Sequence, residues 1–233
     1  MKSFRSKRGP FKEQPFFTDD ELESICVDEL AKCSLFPSAP QPIRIERFVE
    51  KRFKVTVEPM DLGDGILGLT KFGPGGVVGI YVSEALDAER TQIAQRRVRS
   101  TIAHEAGHGL LHAHLFLLDN NAPLFGDFSD PGAPKVLCRG EGPDESRRQY
   151  DGEWWEFQAN AAMGHLLMPR MLIEAAVRPF LVSAGNLGGK EIDPLRYDSA
   201  VRTLAETFDV SRAVVSIRLE AYYPVKASRQ LML

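Results

Sequence analysis

Apolar residues recur at helical spacing before residue 54, and they predict two helices there. Thr18 and Glu21 have the spacing of a capping box, which marks the start of the first helix. The apolar positions are Leu22, Ile25, Cys26, Leu30 and Cys33 in the first helix and Ile45, Phe48, Val49 and Phe53 in the second. Each helix should bury one face, and we expect Cys26 and Cys33 to be small core residues and not reactive thiols.

A β region is predicted after the second helix. Val55 and Val57 alternate with polar neighbours, as on a half-buried strand. Residues 66–69 and 77–82 are two further strand candidates, and the glycine-rich segment 73–76 is a turn signal between them. The pattern therefore predicts a small, mostly antiparallel sheet.

The second half of the chain alternates between helical and loop-like segments. Residues 88–115 have the pattern of a long helix, whereas residues 119–152 resemble a loop with one short strand candidate at 135–138. Helical spacing returns at 153–168 and again at 195–223. Together with the sheet, these helices predict an α+β fold.

Composition narrows the functional classes. Of the 233 residues, 43% are hydrophobic and 26% are charged, which is the balance of a globular domain and not of a disordered chain. The net charge of −3 gives no reason to expect nucleic-acid binding. Cys26, Cys33 and Cys138 form no CxxC pair, so we expect neither a disulfide framework nor a cysteine zinc site, and we expect a cytoplasmic location. The basic N-terminus lacks the apolar core of a signal peptide, and no apolar stretch is long enough to span a bilayer.

The segment TIAHEAGHGLLH at residues 101–112 carries the clearest chemical signal. It contains HExxH, in which His104 and His108 lie about 40° apart on one face of a helix. Both imidazoles can then reach one metal ion. Glu105 flanks that ion without binding it, which is the position of a general base acting on a water molecule. The motif predicts one zinc ion per chain.

A catalytic zinc ion usually has a third protein ligand. The best candidate is Glu156, in the segment EWWEFQANAAMGHLLMP at residues 153–169, where it shares a helical face with Asn160. A carboxylate at the start of a helix otherwise devoted to packing fits a ligand, although the positive end of a helix also favours one. Glu153, three residues earlier on the same side, is the alternative ligand.

These two segments resemble the ImmA/IrrE family of bacterial and phage metallopeptidases. The matching stretches are IAHEAGHGLLH and EFQANAAMGHLLMP, and the likeness extends through LAETFDVSRAVVSIRL over most of the chain after about residue 40. In that family an ExxAN segment ending in LLMP supplies the third zinc ligand, which implies Glu156 here. The chain departs from the family pattern at Met163-Gly164 and in the long segment 119–152.

The resemblance implies a zincin-like α+β fold whose HExxH helix packs beside a small sheet. It also implies zinc-dependent hydrolysis of a protein substrate, namely a specific transcriptional repressor. We accordingly expect a flexible N-terminus at 1–17, a zinc metallopeptidase domain at 18–190 and a C-terminal helical segment at 191–233. The rival hypothesis is a regulatory or toxin–antitoxin protein that uses the metal structurally, but a structural site has no need of a base such as Glu105.

Three other histidines lie near the motif or the second helix. His112 is one turn beyond His108, and either a role beside the metal ligand or a packing or capping role at the helix end fits its position. His114 stands where metzincins place a third histidine, but Leu111 replaces the glycine that their chain turn requires. His165 is expected to face away from the metal.

Two further hypotheses concern the segment 119–152. Cys138 could reach the zinc ion and inhibit the enzyme, although an unpaired cysteine on a short strand is more often buried and inert. Tyr150 and Arg148 are candidates for stabilising an oxyanion, on the basis of their position in the sequence alone.

The C-terminal helices resemble a helix-turn-helix. Ser211 would cap the second helix, and Val210 would pack against its first turn. Reading DNA requires several basic contacts, and this helix offers only Arg212 and Arg218. We therefore favour a helical pair packed on the peptidase domain over direct DNA binding.

Overall fold

A computed structural model of the chain describes residues 2–5, 13–118, 135–139, 154–184 and 189–224. The strands are β1 (Lys2–Arg5), β2 (Glu13–Phe16), β3 (Val57–Met60), β4 (Gly68–Gly73), β5 (Gly76–Ser83), β6 (Lys135–Arg139), β7 (Leu181–Ala184) and β8 (Gly189–Ile192). The α-helices are α1 (Asp19–Lys32), α2 (Ile45–Phe53), α3 (Glu84–Ala88), α4 (Gln92–Leu111), α5 (Ala113–Leu118), α6 (Trp154–Leu167), α7 (Arg170–Val177), α8 (Tyr197–Phe208) and α9 (Arg212–Tyr222). The fold is α+β, as predicted. None of the described helices has both the length and the apolar character needed to cross a membrane.

The four-stranded sheet is mixed, with the order β3-β5-β4-β6. A tight turn joins β4 to β5 and makes them antiparallel. Gly76, the first residue of β5 after that turn, has a φ of 111°, which glycine adopts readily. β6 pairs antiparallel with the other side of β4. β3 pairs in parallel with the edge of β5 that faces away from β4. This parallel pair is the exception to the antiparallel pattern that the sequence predicts.

Local capping sets the helix boundaries. The capping box predicted at the start of α1 is confirmed, since the Thr18 side chain accepts from the Glu21 N–H and the Glu21 carboxylate accepts from the Thr18 N–H. The long helix predicted over 88–115 is divided into three. Arg90 adopts a left-handed backbone with a φ of 52°, and the Thr91 side chain then caps α4, so α3 and α4 cannot be continuous.

One hydrophobic core joins the N-terminal helices, the HExxH helix and the C-terminal helices. Its buried members include Leu22 and Cys26 of α1, Phe48 of α2, Ile102 of α4, Leu166 of α6, Phe208 of α8 and Val215 of α9. Ser211 caps α9 by accepting from the N–H of Val214 at 3.3 Å, and Val210 before it is fully buried. The helices α8 and α9 therefore share the core of α6, while the domain boundary between residues 190 and 191 stays a prediction.

A buried ionic cluster connects α9 to α1 and α6. The Glu23 carboxylate of α1 accepts hydrogen bonds from Arg218 at 3.0 Å, the Tyr222 hydroxyl at 3.3 Å and the Arg170 main-chain N–H at 2.7 Å. The Nδ1 atom of His165 lies 2.5 Å from the same carboxylate. Burial raises the pKa of Glu23, but the His165 and Arg170 hydrogen bonds and the Arg218 charge outweigh it, so the pKa is lowered.

The N-terminal segment contributes two strands where the sequence predicts a flexible N-terminus at 1–17. β1 and β2 pair antiparallel. Pro15 in β2 is buried, and its carbonyl accepts a hydrogen bond from the Gln158 side chain at 2.7 Å. The two partners are separated by 143 residues, so local sequence patterns contain no signal for this contact.

The ionic cluster predicts that Arg218→Met lowers the free energy of unfolding by about 2 kcal/mol, because Glu23 loses a charged donor while remaining largely buried. Arg212→Met, on the exposed side of the same helix, should change it by less than about 0.5 kcal/mol. Urea unfolding followed by circular dichroism measures both. Equal stability of the two variants would mean that the cluster does not stabilise the docking of α9.

Candidate metal centre

The HExxH motif lies in the last two turns of α4, and its two histidines face the same way. The Nε2 atoms of His104 and His108 are 3.0 Å apart. Both side chains are buried, with at most 1% of the surface of either residue exposed. Two imidazole nitrogens that converge in a buried place have either to share a proton or to bind a common ion.

The third group comes from the first turn of α6. Glu156 Oε2 lies 3.1 Å from His104 Nε2, and Glu156 Oε1 lies 3.2 Å from His108 Nε2. Burial raises the pKa of Glu156, but the imidazoles of His108 and His104 outweigh this and hold it well below its usual range. The carboxylate is therefore ionised beside the two rings, and His104, His108 and Glu156 form a group that could hold a metal ion.

The close packing of α4 on α6 brings these ligands together. A Cβ atom added at Gly107 would lie 3.0 Å from the Ala159 carbonyl oxygen and 3.1 Å from the Ala162 Cβ. These distances are tighter than ordinary contacts, so a larger residue at 107 would push the two helices apart. Gly107 falls between the two histidines of α4, and therefore its small size directly affects the distance from Glu156 to both.

The spacing of the candidate ligands is compatible with one shared ion. Two ligands about 2.0–2.1 Å from a zinc ion lie about 3.3 Å from one another. The Nε2 atoms of His104 and His108 are 3.0 Å apart, and the Glu156 carboxylate lies 3.1 Å from the first through Oε2 and 3.2 Å from the second through Oε1. Two imidazoles and one carboxylate are also ligands that zinc accepts.

Glu105 packs against β4 and is not one of the three candidate ligands. It is fully buried, and the Thr70 hydroxyl lies 2.7 Å from its Oε2 atom. The same hydroxyl is 3.1 Å from the Glu105 main-chain oxygen, so the shorter contact is with the carboxylate. Gly68 permits this approach, because a Cβ atom there would lie 2.8 Å from Glu105 Oε1 and 2.4 Å from a methyl carbon of Thr101.

Asn160 orients the first histidine. Its Oδ1 atom is 3.0 Å from His104 Nδ1. An amide oxygen only accepts, so Nδ1 carries the proton and Nε2 is left with a lone pair towards Glu156 and His108. Helical periodicity predicts that Asn160 shares a face with Glu156, and this spacing of four residues is the sequence signal for a role at the site.

His112 lies beside the second histidine, with its Nδ1 atom 2.9 Å from that of His108. It is fully buried, and burial, reinforced by the His108 charge, holds the pKa of His112 well below its usual value. Its Nε2 atom is 3.2 Å from Gln158 Oε1, and Gln158 in turn reaches the Pro15 carbonyl. His112 is also the C-cap residue of α4, so its position fits both of the alternatives that the sequence leaves open.

The other candidates lie elsewhere or cannot be placed. His165 contacts Asp19 and Glu23 of α1, and His114 in α5 is not part of the metal-ligand group among the described residues. The Cys138 backbone pairs with Leu69 in the sheet. Three residues named from the sequence lie outside the described ranges: Glu153, Tyr150 and Arg148.

The geometry predicts that Glu156→Gln weakens metal binding far more than the roughly 10–100-fold that loss of an outer hydrogen-bond partner costs, because a neutral amide is a poorer ligand than a carboxylate. His104→Ala and His108→Ala should likewise lose the metal. Chelator competition and elemental analysis of the purified proteins measure the effect. Glu153→Gln is the control, and if it lost the metal while Glu156→Gln kept it, Glu153 would be the ligand.

Comparison with protein-family models finds none that matches this chain, and no curated protein matches it as a relative. The resemblance to the ImmA/IrrE family, which rests on the sequence stretches quoted above, remains a prediction. The coarser finding stands independently of it: a buried group of two histidines and one glutamate could hold a metal ion.

Proposed function

We propose that this chain is a zinc-dependent peptidase in which His104, His108 and Glu156 bind one zinc ion and Glu105 acts as general base. The observation that carries the proposal is the cluster formed by His104, His108 and Glu156. The two Nε2 atoms lie 3.0 Å apart, and the Glu156 carboxylate lies 3.1 Å from the first through Oε2 and 3.2 Å from the second through Oε1. Glu105, a buried carboxylate outside this cluster, follows His104 in the sequence. A site that only stabilises a fold needs ligands but no such base.

Zinc is the proposed metal because the ligands include the two histidines of an HExxH motif. Imidazole nitrogens suit zinc, copper, iron and nickel, whereas a site for magnesium or calcium would consist mainly of oxygen atoms. Three protein ligands also leave one tetrahedral position open, which is the arrangement of catalytic and not of structural zinc. Elemental analysis of the purified protein should find about one zinc per chain.

When bound, zinc supplies Lewis acidity, which lowers the pKa of a coordinated water and polarises the scissile carbonyl. The residues of the chain handle the proton. Glu105 takes it from the attacking water and later returns it to the leaving amine nitrogen. The Thr70 hydroxyl, 2.7 Å from Glu105 Oε2, holds the carboxylate in one orientation while it does so. Asn160 keeps the proton of His104 on Nδ1 and off the metal-binding nitrogen.

The proposed substrate is a protein, and the motif resemblance makes a transcriptional repressor the first candidate. The charges of α9 do not favour the alternative, direct DNA binding by that helix. Arg218 is only 5% exposed and is bound to Glu23, so Arg212 is left as the exposed cation of that helix. One exposed arginine supplies too few phosphate contacts for binding by charge.

Glu105→Gln is predicted to abolish cleavage while leaving the fold and the zinc content unchanged. Glutamine has nearly the same shape but cannot accept a proton near neutral pH. General-base contributions are on the order of a hundred- to ten-thousand-fold, so the loss is easily measured. Wild type and variant are compared by mass spectrometry on a peptide library and on the repressor encoded beside this gene, if one is present.

Partner binding should survive in Glu105→Gln, which separates the enzyme from the rival hypothesis of a metal-containing binding protein. Full regulatory output in cells from a variant that has lost all cleavage would show that the protein acts by binding. If zinc-loaded wild type cleaved neither the repressor nor any peptide in the library, the peptidase hypothesis would be wrong.

Thr70→Val is predicted to lower kcat by roughly 10- to 100-fold, because a hydrogen bond to a charged group contributes about 1.5–3 kcal/mol and the variant lacks the donor. Zinc affinity should not change, since Thr70 contacts Glu105 and none of the three candidate ligands. Thr70→Ser keeps the hydroxyl and should retain most of the activity. Equal kcat values for the Val and Ser variants would show that this hydrogen bond does not matter for catalysis.

A further inference from the structure

A chain of hydrogen bonds runs from the N-terminal segment to the metal centre. It passes from the Pro15 carbonyl through Gln158 and His112 to His108, with successive distances of 2.7, 3.2 and 2.9 Å. Each of the three side chains in the chain is at most 5% exposed. Buried polar groups have to satisfy one another, so the direction of every hydrogen bond in the chain is determined by its partners.

The Pro15 carbonyl sets that direction. A carbonyl only accepts, so the Gln158 amide nitrogen faces it and the Gln158 oxygen faces His112. The amide oxygen also only accepts, and therefore His112 carries a proton on Nε2. In a neutral ring the other nitrogen of His112 is then an acceptor, and it receives the Nδ1 proton of His108.

The consequence falls on the metal ligand. With its proton on Nδ1, His108 presents a lone pair at Nε2, the nitrogen that lies 3.0 Å from His104 Nε2 and 3.2 Å from Glu156 Oε1. If Gln158 or His112 were reversed, His108 would carry its proton on Nε2 and could not bind a metal ion. The proton arrangement anchored at Pro15 is thus the one that metal binding needs.

We propose that His112 and Gln158 are positioning residues that hold His108 in its metal-binding tautomer, with the Pro15 carbonyl as the fixed acceptor at the far end. This inference rests on the metal-binding part of the proposed function. It gives the N-terminal strand β2 a part in building the metal centre. His104 is oriented differently, by the single amide of Asn160, which is an exposed residue of α6.

The competing explanation is packing alone. His112 ends α4, and its ring also lies edge-on to Trp154 at 5.5 Å, so a ring of similar size could be all that the site needs. The two explanations differ in what an apolar replacement does. Packing predicts that an aromatic ring without nitrogens preserves metal binding, whereas positioning predicts that it does not.

Zinc affinity of the full-length protein, measured by chelator competition, tests this difference. His112→Phe and Gln158→Met should bind zinc about 10–100-fold more weakly than wild type, the usual cost of losing an outer partner of a metal-binding histidine. His112→Gln keeps both an acceptor and a donor and should recover most of the affinity. Unchanged affinity in His112→Phe and Gln158→Met would overturn the proposal.

The tautomers themselves can be read from nitrogen-15 NMR of zinc-loaded wild type with labelled histidine, which does not depend on whether a variant folds. We expect protons on Nδ1 of His108 and on Nε2 of His112. A proton on Nδ1 of His112 would overturn the proposal. If wild type binds zinc and the His112 and Gln158 variants bind it equally well, this inference alone is wrong. If wild type binds no zinc, the proposed function is wrong as well.

Discussion

The close contact between α4 and α6 is the constraint on which the rest of the site depends. Gly107 has no side chain, and Ala159 and Ala162 oppose it with small ones, so the two helices approach to a distance that a larger residue would prevent. The histidines of the motif lie on either side of that contact in the sequence. Glu156, in the first turn of the partner helix, is therefore brought against both rings.

Helix α6 has polar groups at both ends of a largely apolar element. At its beginning, Glu156 and Gln158 face the candidate metal centre. Near its end, His165 lies fully buried among the carboxylates of α1 and contributes to the cluster that holds α9 in place. The apolar middle packs into the common core. Helix α6 thus links the candidate metal centre to the cluster that contacts α9.

The two carboxylates of the site, Glu156 and Glu105, have different surroundings. Glu156 faces two imidazoles, which favour its ionised form and make it suitable as a ligand. Glu105 faces the sheet, where the Thr70 hydroxyl hydrogen-bonds it and Gly68 leaves it room. Glu156 of α6 thus lies against the face of α4 that carries the two histidines, whereas Glu105 lies on a different face of α4, towards the sheet. Neighbouring positions on a helix point about 100° apart, which is why adjacent residues 104 and 105 can serve separate partners.

Much of the site could be inferred from the sequence, because helical periodicity alone places residues 104 and 108 on one face. Outside the site, the capping box at Thr18 and the burial of Cys26 followed from equally local patterns. The contacts between distant segments could not. The long-range contacts are the parallel pairing of β3 with β5, the hydrogen bond from Gln158 to the Pro15 carbonyl and the partners of His112 and His165. Sequence patterns record which face of an element is apolar, but a hydrogen bond between two buried polar side chains depends on how the elements pack, and only the tertiary structure decides that.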